Sequence, residues 1–93
     1  MVPNAPSGFS IQRRVCSSNG FSLRLAWGDN SNNEDGFNIY RNSQLIASVG
    51  PNVTAYTDIP PMGINLVYLV EAFNSAGASD QDTTMDDGCT IVN

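Results

Sequence analysis

A chain of 93 residues with 41% hydrophobic content holds one core and one domain, and at this size the core needs no metal or cofactor to stand. A formal net charge of -5, with four arginines and no lysine, argues against a phosphate-binding surface, so nucleic acid is not an expected partner. Histidine is absent, which removes the commonest general base and the commonest metal ligand together, and no apolar run approaches the roughly 18 residues that span a bilayer.

Met1 is followed by Val2-Pro3-Asn4-Ala5-Pro6, without the charged start and apolar stretch of a secretion signal. The expectation is a segment of a longer protein, or a small protein that leaves the cell by another route. After the extended lead-in, Phe9 and Ile11 alternate with Ser10 and Gln12, and a first strand is expected over 9–15 with Val15 continuing the inward set. Ser17-Ser18-Asn19-Gly20 is a turn. Leu23, Leu25 and Trp27 lie on one side of a second strand and Ser22, Arg24 and Ala26 on the other, which makes Trp27 the strongest core candidate. The loop from Gly28 to Gly36 is long and polar. Phe37 and Ile39 face inward on a third strand, with Asn38, Tyr40 and Asn42 outward, and the chain turns at Arg41-Asn42-Ser43-Gln44. The fourth strand runs from Leu45 to Val49 with two alternative inward sets, Leu45, Ala47 and Val49 or Ile46 alone. Thr54 to Asp58 is the fifth strand, with Tyr56 inward.

The sixth strand organises the rest. Tyr68, Val70 and Ala72 alternate with Leu69, Glu71 and Phe73, and the run stops at Gly77. A tyrosine opening such a strand, just after the turn-rich Pro60-Pro61-Met62-Gly63, can send its hydroxyl back to the preceding connection while its ring enters the core, the tyrosine corner of Greek-key sandwiches. Beyond Gly77 the chain turns acidic, and only Thr90-Ile91-Val92 restores strand character. Seven short segments with turns every 8 to 12 residues and no helical period give an all-β, antiparallel β-sandwich.

The chain resembles a fibronectin type III domain, in particular the variety found in bacterial secreted and phage proteins. The resemblance rests on Pro6, on Leu23-x-Leu25-x-Trp27, on Asn33-Glu34-Asp35-Gly36-Phe37-x-Ile39-Tyr40-Arg41, on Tyr56-Thr57-Asp58, and on Tyr68-x-Val70-x-Ala72-x-Asn74-x-x-Gly77. It covers about residues 5–80. It implies a seven-stranded, immunoglobulin-like Greek-key sandwich of three strands on four, with Trp27, Phe37, Tyr56 and Tyr68 buried. The departure is the tail, 80–93, where an acidic, turn-like stretch separates the glycine from Cys89. By count alone, Cys16 and Cys89 suit either one bridge in an oxidising compartment or two unpaired thiols. The architecture implied by the resemblance puts the first connection and the end of the last strand at one pole, which brings the two cysteines together. Such a bridge would close a loop of about 74 residues and stabilise by about 4 kcal/mol in the chain-entropy model.

No set of residues assembles a catalyst. Serines lack a histidine to activate them, and Asp29, Glu34 and Asp35 occupy a loop without a cleft. Asp29, Asn30, Asn32, Glu34 and Asp35 supply oxygen atoms of the type calcium takes, but not at EF-hand spacing, and read as solvated turn residues. Asp80, Asp82, Asp86 and Asp87 read the same way. Asn52-Val53-Thr54 fits a glycosylation acceptor. No cofactor is expected. The informative feature is an asymmetry of faces: with Tyr68 inward, Val67, Leu69, Glu71 and Phe73 point out beside Tyr40, while the other sheet shows Ser10, Gln12, Ser22, Arg24, Ala26 and Thr57. Tyr40, Leu69, Glu71 and Phe73 therefore form the expected contact face. The reading is an extracellular or cell-surface module that binds protein or carbohydrate. Its rivals are a self-assembling subunit of a virion lattice or fibre, and an accessory module beside a glycosidase.

Overall fold

Large apolar residues at every second position build the core strand of the smaller sheet. In the computed structural model, which describes residues 1–90, Phe21, Leu23, Leu25 and Trp27 all face inward from strand β2 (Gly20–Gly28). It lies between β1 (Ser7–Ser17) and β5 (Ala55–Asp58), antiparallel to both. The second sheet centres on β3 (Gly36–Arg41) and β6 (Leu66–Asn74), with β4 (Gln44–Val49) beyond β3. Beyond β6 lie β7 (Gly77–Ala78) and β8 (Asp82–Asp86), both paired with it. The strand orders β1-β2-β5 and β4-β3-β6-β7, with β8 on β6, are those of an immunoglobulin-like Greek-key sandwich.

Leu23, Leu25, Phe37, Ile39, Tyr68, Val70 and Ala72 are fully enclosed between the sheets. Trp27 is nearly so, meeting Phe9 edge-on at 6.0 Å and Phe37 at a tilt at 5.6 Å between ring centroids. Its indole N–H finds no acceptor among the described residues. Tyr56 is only half-buried and lies against the margin of this core. Phe21 and Leu66, at the same pole as the disulfide, complete it.

Two bulges change the facing expected from alternation. The first strand is longer than 9–15, and its register slips between Ile11 and Arg13, so Gln12 is the extra residue. Beyond it Arg14 and Cys16 fall into the inward phase opposite Leu23 and Phe21, and Val15 turns out to solvent rather than continuing the inward set. In β4 a slip opposite Ile39 and Tyr40 makes Ile46 the extra residue. Ile46, Ala47 and Val49 consequently all pack on the core, while Leu45 is exposed, so neither of the two alternating sets holds for the whole strand. The hairpin before it is a two-residue turn with Asn42 and Ser43 at φ 50° and 70°, the left-handed pair that matches strand twist.

The last strand comes earlier than Thr90-Ile91-Val92 and in two pieces, β7 and β8, the second running through the acidic stretch expected to be turn-like. Between them Ser79 takes both backbone groups of Ala72, its N–H donating to Ala72 O at 2.8 Å and its Oγ accepting from Ala72 N at 2.9 Å. A side chain replaces a rung of the ladder, and Asp80 and Gln81 loop out before β8 resumes. The strand character expected at Thr90-Ile91-Val92 falls, for Ile91 and Val92, outside the described residues. Two tail acids read as solvated are structural instead. Asp82 accepts from the Phe9 backbone N–H at 2.9 Å, and Asp86 pairs with Arg14 Nε at 2.9 Å and accepts from Gly88 N. Both sit on strand positions that face inward at the sheet margin, where β1 of the other sheet is in reach.

Cys16 and Cys89 are bonded, their Cα atoms 5.7 Å apart and 73 positions apart in sequence. Arg14 Nη2 donates to Gly88 O at 2.6 Å, and Gly88 itself, at φ 93°, passes so close to the Ile64 carbonyl that a side chain would collide with it. The tail is thus fixed by a covalent bond, an ion pair and a close backbone approach. Reduction of the bridge under native conditions is expected to lower unfolding stability by about 3 to 4 kcal/mol, read from the denaturant midpoint of the intact protein against a Cys16→Ser/Cys89→Ser variant. A loss below about 1 kcal/mol would show that Arg14 and the β6–β8 ladder hold the tail alone.

Candidate functional site

The outer face of the larger sheet carries three cross-strand rows beyond the one in which Phe73 stands between Gly36 and Ala78. Ser48, Asn38 and Glu71 make the first, joined by Gln81 from the loop before β8. Leu45, Tyr40, Leu69 and Thr83 make the second, and Val67 and Met85 the third. The first row is a closed polar chain. Ser48 Oγ donates to Asn38 Oδ1 at 2.7 Å, Asn38 Nδ2 to Glu71 Oε2 at 2.9 Å, Gln81 Nε2 to Glu71 Oε1 at 3.0 Å, and Tyr40 OH to Glu71 Oε2 at 3.0 Å.

This arrangement corrects the expected contact face of Tyr40, Leu69, Glu71 and Phe73. Glu71 points outward as alternation requires, but three donors surround it and leave it 7% exposed. Phe73 is half-buried, its ring lying over Gly36, the residue directly opposite on β3. A side chain at Gly36 would meet that ring as well as the Val49 carbonyl, so the ring occupies the space the glycine leaves. The polar row therefore separates Phe73 from Tyr40 and Leu69. What stays open is the other side of that row: Leu45, Val67 and Met85, at 55%, 39% and 69% exposure, flanking half-buried Tyr40 and Leu69. Leu45 and Met85 escaped sequence reasoning because a bulge sets the phase of one and an acidic segment without strand alternation carries the other.

Burial and the neighbouring Glu71 carboxylate, which the hydroxyl bonds and whose charge opposes a phenolate, push the Tyr40 phenol above its ordinary value. The ring is held neutral, with its hydroxyl turned inward to the acid, so its exposed edge is apolar in character.

The Asp29–Asp35 loop is organised by its own side chains. Ser31 N donates to Asp29 Oδ1 at 3.1 Å and Ser31 Oγ to Glu34 Oε1 at 2.9 Å, while the Asn52 backbone N–H donates to Glu34 Oε2 at 2.9 Å. That backbone bond is the main reason the Glu34 carboxyl is held below its ordinary range, against the opposing effect of burial. Glu34 is buried, so it braces two loops and is not a solvated turn residue. Among the described residues no group of three or more acids, cysteines or histidines is placed to hold a metal ion.

No protein-family model matches the chain, and no curated protein matches it. Solved structures do. FN3tt, a fibronectin type III domain, superposes with a TM-score of 0.71 at 24% identity, over 92% of this chain and 94% of that one. FN3tt mut gives 0.74 at 22% identity, over 92% and 96%. The Clostridium perfringens spore cortex lytic enzyme SleM gives 0.74 at 20% identity over 95% of this chain, which spans 29% of SleM. The chain has the fibronectin type III fold.

Replacing Glu71 with Gln is expected to bring the Tyr40 phenol down toward 10, its ordinary value, in an alkaline ultraviolet titration, because the carboxylate's share of the shift disappears while burial remains. An unchanged titration would mean that burial alone sets it.

Proposed function

We propose that this fibronectin type III-fold domain is a non-catalytic spacer and contact module of a secreted or surface-exposed bacterial protein, meeting a protein or carbohydrate partner through the outer face of its larger sheet. The observation that carries the reading is the contiguous apolar patch of Leu45, Val67 and Met85 beside Tyr40 and Leu69, on one sheet face of an acidic chain.

The spacer role is supported by shape. Met1 O accepts from Asn33 and Asn74 at one pole, and Cys89 is bonded to Cys16 at the other, in a body measuring 52 × 20 × 17 Å. A chain that enters at one end and leaves at the other separates its neighbours by the long dimension. The fold similarity to a region spanning under a third of SleM, a lytic enzyme, is in keeping with a module inside a longer protein. The disulfide fits an oxidising compartment, and no helix among the described residues is long and apolar enough to cross a membrane. Catalysis has no support in the side chains: Glu34, Asp58 and Glu71 are each buried and bonded within the domain, and histidine is absent.

The second reading, a self-assembling subunit of a virion decoration or fibre, draws on the same patch, since an apolar face can equally meet another copy. A photoreactive residue at Met85 in the full-length natural protein separates them. The module reading expects a crosslink to a different protein or glycan, none from a control position at Ser75, and a monomer for the isolated domain in sedimentation. Crosslinking to further copies, with concentration-dependent association removed by Val67→Lys/Met85→Lys, would establish the subunit. Absence of any crosslink at Met85 would defeat both.

A further inference from the structure

The opposite face carries an unbalanced charge. Of the four arginines, Arg14 is paired with Asp86 and Arg41 with Asp58, and these are the ion pairs among the described residues. The remaining two, Arg13 and Arg24, are exposed and stand directly opposite one another on β1 and β2, with Thr57 of β5 completing their row. Like charges directly across an antiparallel pair repel, so the free domain holds them side by side at some cost. Nine acids outnumber the arginines in the chain, yet none bonds either guanidinium among the described residues.

Two shallow depressions adjoin here, each of about 340 Å³. Arg13, Val15, Ser22, Arg24 and Thr57 line the first, which is basic with hydroxyl groups on two sides. The second shares Val15 and Ser22 with it and adds Phe21 and Ile59, the latter 77% exposed. We propose that the outer face of β1, β2 and β5 is a second contact site, for an acidic peptide segment of a partner protein that places carboxylates on Arg13 and Arg24 and an apolar side chain against Val15 and Ile59.

Two adjacent guanidinium groups beside hydroxyl donors are the chemistry that recognises carboxylates, since each fork can bind one in two-point contact. A bound carboxylate also relieves their mutual repulsion, so binding gains more than either ion pair alone. The adjoining apolar depression favours a peptide over an acidic glycan, because no aromatic ring lies exposed on this face among the described residues to stack on a sugar. In a protein of net charge -5, an acidic partner is repelled by the surface at large and directed to this row.

The test is a two-dimensional amide NMR titration of the domain with a capped six-residue peptide of alternating aspartate and leucine. Shifts are expected at Arg13, Val15, Arg24, Thr57 and Ile59, and the same peptide with asparagine for aspartate should leave them in place. Arg13→Gln/Arg24→Gln should weaken binding by about tenfold or more, as should raising salt from about 50 to about 500 mM, while the unliganded variant unfolds no earlier than the natural protein. The inference is overturned if these residues do not shift, if the variant binds as well, or if the shifts fall on the Val67 and Met85 face. Stronger binding of oligogalacturonate, or self-association that the variant abolishes, would assign the face to a glycan or to a second copy and overturn it equally. Its failure leaves the Met85 crosslink unaffected, so the two faces are tested apart.

Discussion

One buried carboxylate ties the two sheets together. Asp58, at the end of β5 in the smaller sheet, receives both Arg41 Nη1 contacts, at 2.8 and 2.7 Å, and the Tyr68 hydroxyl at 2.6 Å. Arg41 and Tyr68 are cross-strand partners at the adjacent ends of β3 and β6 in the larger sheet. The tyrosine corner is thus built on a side-chain acceptor ten positions back, with the arginine supplying the charge that makes a buried carboxylate tolerable. Burial and the neighbouring Asp58 push the Tyr68 phenol far up, so it stays a donor under any ordinary condition. With Tyr68 fixed in this way, Val70 and Ala72 must face the core, and Val67, Leu69, Glu71 and Phe73 the outside.

The tail closes the opposite margin by the same kind of chemistry. Asp82 and Asp86 reach across from β8 to β1, one to the Phe9 backbone N–H, where the β1–β2 register shifts between Ser7 and Ser10, and the other to Arg14, and the disulfide seals the pole beyond them. Arg14 also lies 5.4 Å above the Phe21 ring, so a residue that alternation would place in solvent caps the core. Because the acids of β8 are spent inward, its outward positions are left to Thr83 and Met85, which is why the larger sheet presents an apolar patch at this end. Two of the four arginines are consumed in joining the sheets, and the other two are left to define the opposite face.

Strict alternation with large residues was readable at sight: Leu23, Leu25, Trp27, Phe37, Ile39, Tyr68, Val70 and Ala72 each occupy a position whose facing can be read from its neighbours. The bulges at Gln12 and Ile46 were not, since nothing in either residue type announces an extra position, and each inverts the phase of the residues after it. Glu71 shows the limit of facing as a guide. Its direction is legible, but its enclosure depends on Gln81, contributed by a segment with no strand pattern. Asp58 stood within Tyr56-Thr57-Asp58, part of the resemblance to fibronectin type III domains, yet its partners lie 17 and 10 residues away on the other sheet. Contacts between sheets leave no periodic trace in a sequence.

The central claim is that Asp58 couples Tyr68 and Arg41 across the sheets, and a double-mutant cycle in equilibrium unfolding measures it. Asp58→Ala should cost about 3 kcal/mol or more, because it leaves a largely enclosed guanidinium and a buried hydroxyl without their acceptor. Tyr68→Phe should cost less alone and add little once Asp58 is gone, giving a coupling of about 1 to 3 kcal/mol. Strictly additive losses, or a change at Asp58 below about 1 kcal/mol, would mean that apolar packing alone holds the sandwich and that this carboxylate is incidental to it.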